Sequence, residues 1–156
     1  MDHAIELDIT ERLQAMVSLE KDPVHRCPDY LSPGYLQQQA EYRGPHQALF
    51  DSFSDDSETI TKELRVEMIK WFYEFVDVCK SDRSIVAYAV SFMDRYLSIH
   101  KCSLTMFRLV GTTCIYLAIK IHDCQSKMLP LACIVDLWEG YFTKDDFESM
   151  EASILL

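Results

Sequence analysis

Asparagine is absent from all 156 residues, so the chain holds no N-glycosylation sequon. Glycine occurs only four times, and between His46 and Leu129 it occurs once, at Gly111; proline is missing from the same stretch. A segment that long without breakers is expected to be helical. The six cysteines (Cys27, Cys79, Cys102, Cys114, Cys124 and Cys133) never form Cys-x-x-Cys. Zinc-ribbon spacing is thereby excluded, and these residues are expected to be reduced, buried thiols of the cytosol or nucleus. No apolar run is expected to reach the ~20 residues that span a bilayer. The most hydrophobic window, Leu109 to Ile121, carries Thr112, Thr113 and Lys120. The opening residues lack the basic start and apolar centre of a signal peptide. Also missing are a Gly-rich phosphate loop, His-Glu-x-x-His, Glu-x-x-His and a nucleophile elbow. The five histidines are scattered, and Asp145-Asp146 is an acid pair suited to a helix start. Neither a metal, a cofactor nor a catalytic group is expected.

What is present is acid, and it is unevenly spread. The net charge is −10; thirteen acids and five bases precede residue 64, and twelve acids and ten bases make up the rest. An acidic chain without a basic stripe does not suit nucleic acid, whose phosphates need Lys and Arg. The near-neutral remainder is free to meet another protein.

Four of the five prolines lie between Pro23 and Pro45, together with Gly34 and Gly44. This divides the chain into residues 1–59, a short N-terminal helix and an acidic linker, and residues 60–156, a helical domain. Over 4–20 the apolar residues Ile5, Ile9, Leu13, Met16 and Val17 share a helical face. Residues 22–59 read as an irregular connector, solvated over its acidic, Ser-rich part, 51–58. Ser32-Pro33 within it is a minimal proline-directed phosphorylation site, or else a plain Pro-Gly turn.

Five helices are expected next. The first spans about 60–79, with Leu64, Met68, Trp71, Phe72, Phe75 and Cys79 at helical spacing. The second, about 82–99, is capped by Ser81 and turns Ile85, Ala89, Phe92, Met93 and Tyr96 inward. The third, about 104–121, is capped by Ser103 and is apolar nearly all round, the pattern of a central helix. Gly111 and Ala118 leave room there for close neighbours. The fourth, about 129–139, has Pro130 at its start and Gly140 past its end. The fifth opens on Thr143-x-x-Asp146, a capping-box pattern, and runs to Leu156 without a stop signal, as a fragment's would.

Each of these apolar helices, the fourth excepted, carries a solitary charge: Arg65, Asp94, Lys120 and Glu151. Lone charges in apolar helices are expensive unless paired. Arg65 and Asp94, on successive helices, suit a bidentate buried pair.

In that order these residues resemble the N-terminal cyclin box. Leu64-Arg65 followed by Trp71, Met93-Asp94-Arg95-Tyr96-Leu97, Phe107-Arg108-Leu109-Val110-Gly111 leading to Ala118-Ile119-Lys120, and Phe142-Thr143 leading to Met150-Glu151 are the motifs that carry the resemblance. It implies an all-α, five-helix bundle over 60–156. It implies a regulatory subunit, not itself an enzyme, that binds and activates a cyclin-dependent protein kinase of the cell cycle, in nucleus and cytoplasm. Lys120 and Glu151, with Ile121, Phe147 and Ile154, would be the kinase-binding residues; Arg65–Asp94 would be scaffold. Leu64, Met68 and Trp71 match a groove for substrate or inhibitor peptides, although Glu67 stands where an aliphatic residue is usual. Leu129-Pro130-Leu131 resembles D-type members. A transcription-related cyclin-box adaptor and a small helical enzyme are the competing readings; the second fails for want of any catalytic constellation.

Overall fold

A computed structural model describes residues 2–23, 26–36, 60–122 and 130–156. Among the described residues the elements are helices: α1 (Asp2–Lys21), α2 (Pro33–Leu36), α3 (Lys62–Cys79), α4 (Ile85–Ile99), α5 (Leu104–His122), α6 (Leu131–Leu137) and α7 (Lys144–Leu155). The acidic stretch 51–58 lies outside the described residues, as does Cys124.

α5 is the axis of the bundle. From Thr105 to Ile119 every residue except Arg108 is buried. Its two interior threonines spend their hydroxyls inside the helix: Thr112 donates to the carbonyl of Arg108 and Thr113 to that of Leu109, at 2.8 and 2.7 Å. Such back-bonding lets a polar side chain sit in a core without an orphaned donor. By length and composition α5 does reach what a membrane crossing requires, contrary to expectation, yet 78% of that apolar window is buried inside the bundle. Its neighbours α3, α4 and α7, not lipid, account for its apolarity.

Those neighbours approach closely because of one small residue. A Cβ at Gly111 would lie 2.6 Å from Sδ of Met68 and 2.8 Å from its Cε. The Met68 side chain of α3 therefore rests on the bare backbone of α5. Around this contact α3 buries Phe72 and Val76. α4 buries Ile85, Val86, Ala89, Met93, Tyr96 and Leu97. Phe92, expected on that inner face, is only half-buried. α7 contributes Phe147 and Met150, and Phe142 packs edge-on against Phe147 at 5.8 Å between centroids.

Side-chain capping sets the start of three of the described helices. Ser103 Oγ accepts from the N–H of Met106 at 3.2 Å. Thr143 and Asp146 close a reciprocal capping box at the start of α7. Thr61, not singled out beforehand, caps α3 by accepting from the N–H of Leu64. The expected Ser81 cap on α4 is not formed. The Ser81 N–H instead donates back to the carbonyl of Val76, and the Asp82 carboxylate accepts from the N–H of Ser84 at 2.7 Å. Ser81 is thus spent on ending α3, and an Asp turn starts α4. The cysteines also divide differently: Cys102 and Cys114 are buried, while Cys27 and Cys133 are exposed. Burial pushes the Cys102 thiol up to about 12, and that of Cys114 well above its ordinary value, so neither is a nucleophile.

Of the apolar face expected on α1, the side chains of Ile5 and Ile9 lie outside the described residues. Leu13, Met16 and Val17 remain 47–58% exposed. The described chain between α1 and α2 is irregular, as expected, yet it sends Tyr30, 5% exposed, into the core.

α3 ends on Lys80, which adopts φ 56° and ψ 32° and donates its N–H to the carbonyls of Asp77 and Val76. The left-handed region penalises a residue with a Cβ and suits glycine. Lys80→Gly is expected to stabilise the fold by about 0.5–1 kcal/mol. Chemical denaturation of the two proteins measures this; an unchanged or lower midpoint would show that Lys80 is not strained.

Candidate functional site

Among the described residues two ion pairs join one helix to another, and they differ in surroundings. In the first, α3 and α4 meet at Arg65 and Asp94. Nε of Arg65 donates to Oδ1 of Asp94 at 2.8 Å, and Nη2 donates to Oδ2 at 2.6 Å. The fork matches the carboxylate in both bonds, which sets the angle between the helices as well as holding them. The side chains keep 26% and 18% exposure, so the pair is partly rather than fully buried.

A third group completes this cluster, and no sequence motif announced it. Tyr30, ahead of the helical domain, donates its hydroxyl to Oδ1 of Asp94 at 2.6 Å. Burial first, then the hydrogen bond to the carboxylate, pushes the phenol well above its ordinary value, so it remains a donor. The same segment makes two more bonds to α4: Tyr35 donates to the carbonyl of Ser98 at 2.7 Å, and the Cys27 thiol to that of Asp94 at 3.4 Å. Residues 27–35 are therefore strapped along α4. Ser32 lies within the strap, half-buried, with its N–H on the carbonyl of Asp29 and its own carbonyl accepting from Tyr35. It sits in a turn that leads into α2.

The second pair joins α5 to α7. Nζ of Lys120 lies 2.6 Å from Oε1 of Glu151, with Lys120 42% and Glu151 18% exposed. The hydrogen bond to Glu151 raises the ammonium above its ordinary range, which keeps it cationic. The ammonium also stands 5.9 Å from the ring centre of Tyr116. Beside the pair, Ile121 is 48% exposed and Leu155 is 59% exposed, while Ile154 is half-buried. The site thus has a charged centre and an apolar rim.

Phe147 is not part of that rim. It is 1% exposed and packs in the core with Met150 and Phe142. The inner face of α7 is Phe147, Met150 and Ser153, spaced by three. Glu151 and Ile154 flank that face, and Leu155 is turned outward. Helical spacing alone puts Phe147 and Glu151 on one side of α7; only the packing decides which of them faces inward. Phe147 anchors α7 beneath the pair and, at 1% exposure, offers no surface of its own there. Ser153 completes the anchoring through a buried 3.4 Å contact with the hydroxyl of Tyr96.

On α3, Leu64, Met68 and Trp71 are half-buried and Glu67 is exposed. Trp71 leans on Phe75 with ring centres 5.2 Å apart. This stripe is open enough to be touched, although Met68 is committed to Gly111. Groups of His, Cys, Asp or Glu able to hold a metal ion do not occur among the described residues.

Asp94→Ala removes the acceptor of both Arg65 and Tyr30, and Tyr30→Phe removes one donor. A hydrogen bond to a charged group contributes about 1.5–3 kcal/mol, so Tyr30→Phe should lower stability by roughly that amount and Asp94→Ala by more. Thermal melts give the comparison. A Tyr30→Phe protein as stable as wild type would show that the strap is incidental to the fold.

The family described as "Cyclin, N-terminal domain" matches residues 33–156. The relatives include Cyclin-A3-2 of Arabidopsis thaliana, 24% identical over 141 residues, covering 90% of this chain and 37% of that protein. G1/S-specific cyclin-E of Drosophila melanogaster is 34% identical over 94 residues, 59% of this chain and 13% of that protein. G2/mitotic-specific cyclin C13-1 of Daucus carota is 23% identical over 135 residues, 86% of this chain and 39% of that protein. The chain spans less than half the length of each. None of these three is D-type, and nothing in them supports the D-type likeness of Leu129-Pro130-Leu131.

Proposed function

The chain belongs to the cyclin family, and we propose that it is a regulatory subunit that binds and activates a cyclin-dependent serine/threonine kinase in cell-cycle control. The observation that carries this reading is the Lys120–Glu151 pair. It stands half-open between two helix ends, rimmed by Ile121, Ile154 and Leu155, over a wholly buried base.

The energetics favour docking over scaffolding for this pair. An exposed Lys–Glu pair contributes about 0–1 kcal/mol to folding. The same charges desolvated beneath a partner, and bonded to its polar groups, are worth several times more. A preformed pair also holds both long side chains in place before the partner arrives, which lowers the entropy lost on binding. A rigid bundle offering such a surface can grip a kinase helix and stabilise its active position. Activation then arises because the surface binds the active arrangement more tightly than the inactive one. All catalytic groups belong to the kinase, and the chain supplies none.

Lys120→Ala and Glu151→Ala should each abolish kinase co-precipitation while leaving the melting temperature nearly unchanged. Truncating one partner of a desolvated charge pair costs about 2–5 kcal/mol of binding. Wild-type binding and activation by both variants would remove this surface from the account. Failure of the wild-type chain to capture any cyclin-dependent kinase would favour an adaptor role in transcription.

The Leu64, Met68 and Trp71 stripe is proposed as a secondary contact for peptides that carry a leucine two residues after a basic residue. Glu67, exposed at its edge, would receive the basic residue. Glu67→Ile should then weaken binding of a labelled Arg-x-Leu peptide. Stronger binding would instead make Glu67 an obstruction, because an added aliphatic side chain contributes roughly 1.5–3 kcal/mol when buried. Absence of binding to either protein would discard the groove.

A further inference from the structure

The end of α5 presents Lys120, Ile121 and His122 in succession, and the structure uses all three differently. Residues on a helix advance by about 100° each, so Lys120 and His122 point roughly 200° apart. Lys120 turns to Glu151 on α7. His122 turns the other way and stacks on Tyr88 of α4, with ring centres 3.6 Å apart and planes 16° from parallel. Ile121 projects between them, 48% exposed. The tip of α5 is therefore continuous from the ion pair, across an aliphatic side chain, to a pair of stacked rings.

Those rings are open to contact. Tyr88 keeps 45% exposure and His122 is exposed. The residues around Tyr88 on the outer face of α4 (Ser84, Ala87 and Ser91) are small, uncharged and exposed. Within one turn of Tyr88 these exposed neighbours leave room for a partner; the exposed Arg95 lies two turns further along the same stripe. The stack also fixes two side chains that would otherwise rotate freely, which removes the entropy cost of ordering them on binding.

We propose that Tyr88 and His122, together with Ile121, form a second, apolar half of the kinase-docking surface, seating an aliphatic side chain of the kinase beside the Lys120–Glu151 pair. The proposal rests on the reading of that pair as a docking site and extends it from α5 and α7 onto α4. The ion pair then serves polar recognition. The stacked rings add contact area with a fixed shape, and so discriminate among kinases that offer similar charges.

The test is the affinity of the folded chain for the cyclin-dependent kinase that co-precipitates with it, measured by calorimetry. Tyr88→Ala and His122→Ala should each weaken binding about tenfold, in the range of one aromatic contact. The double variant should lose little more than either alone, because the rings act as a unit. If the stack only staples α4 to α5, the alanine variants will melt earlier and bind with unchanged affinity, and the proposal falls. If they bind normally while Lys120→Ala and Glu151→Ala lose the kinase, the docking site stands without its extension. If all four bind normally, or if the wild type binds no kinase, both readings fall together.

Discussion

The carboxylate of Asp94 is the point on which the architecture turns. It receives two bonds from Arg65 and one from Tyr30, so one side chain on α4 joins α3 and the segment that precedes the bundle. Removing a charged group from water is unfavourable unless its lone pairs are satisfied, and here three donors satisfy them. The arrangement is directional as well as stabilising. A fork on a carboxylate tolerates little rotation, so it fixes how α3 crosses α4, and α4 in turn packs along α5. The close seat of Met68 on Gly111 depends on that crossing. Without it the bundle would still bury its apolar faces, but with less reason to choose this arrangement.

The second ion pair is related to the fold in the opposite way. Lys120 and Glu151 sit at the rim, where solvent screening leaves their attraction weak. The core beneath them, Phe147, Met150 and Phe142, would hold α7 in place regardless. The pair contributes little to stability, and its position is set by the buried neighbours beneath it. This contrast between a pair that fixes a helix crossing and a pair at the rim is clearer in the structure than in the pattern of lone charges, where both look alike.

Much of the bundle was legible from the residues. The absence of proline and the single glycine between 46 and 129 predicted long helices. α5, expected over about 104–121, runs from Leu104 to His122. Ser103 and Thr143 cap where their spacing said they would, because capping is local: the side chain meets an N–H three residues on. The order of Arg65, Asp94, Lys120 and Glu151 pointed to the family before any geometry was known. The Ser81 assignment failed for an equally local reason. The Asp82 carboxylate, one residue later, accepts from the Ser84 N–H at the start of α4.

What the sequence determined by itself is therefore whatever depends on neighbours within a turn or two: helix type, helix ends, apolar faces, and the family motifs that such faces carry. What only the tertiary structure decided is which of several residues on one face is turned inward, and which distant side chains meet. Phe147 shares its side of α7 with Glu151, and packing alone sent the ring into the core and left the carboxylate at the rim. Tyr30 meets Asp94 across 64 residues of sequence. Tyr88 finds His122 because α4 and α5 lie side by side. Helical periodicity gives a direction around one axis; it carries no information about where another axis will lie. That second quantity comes from the simultaneous fit of all the buried side chains, so it appears only when the chain is assembled.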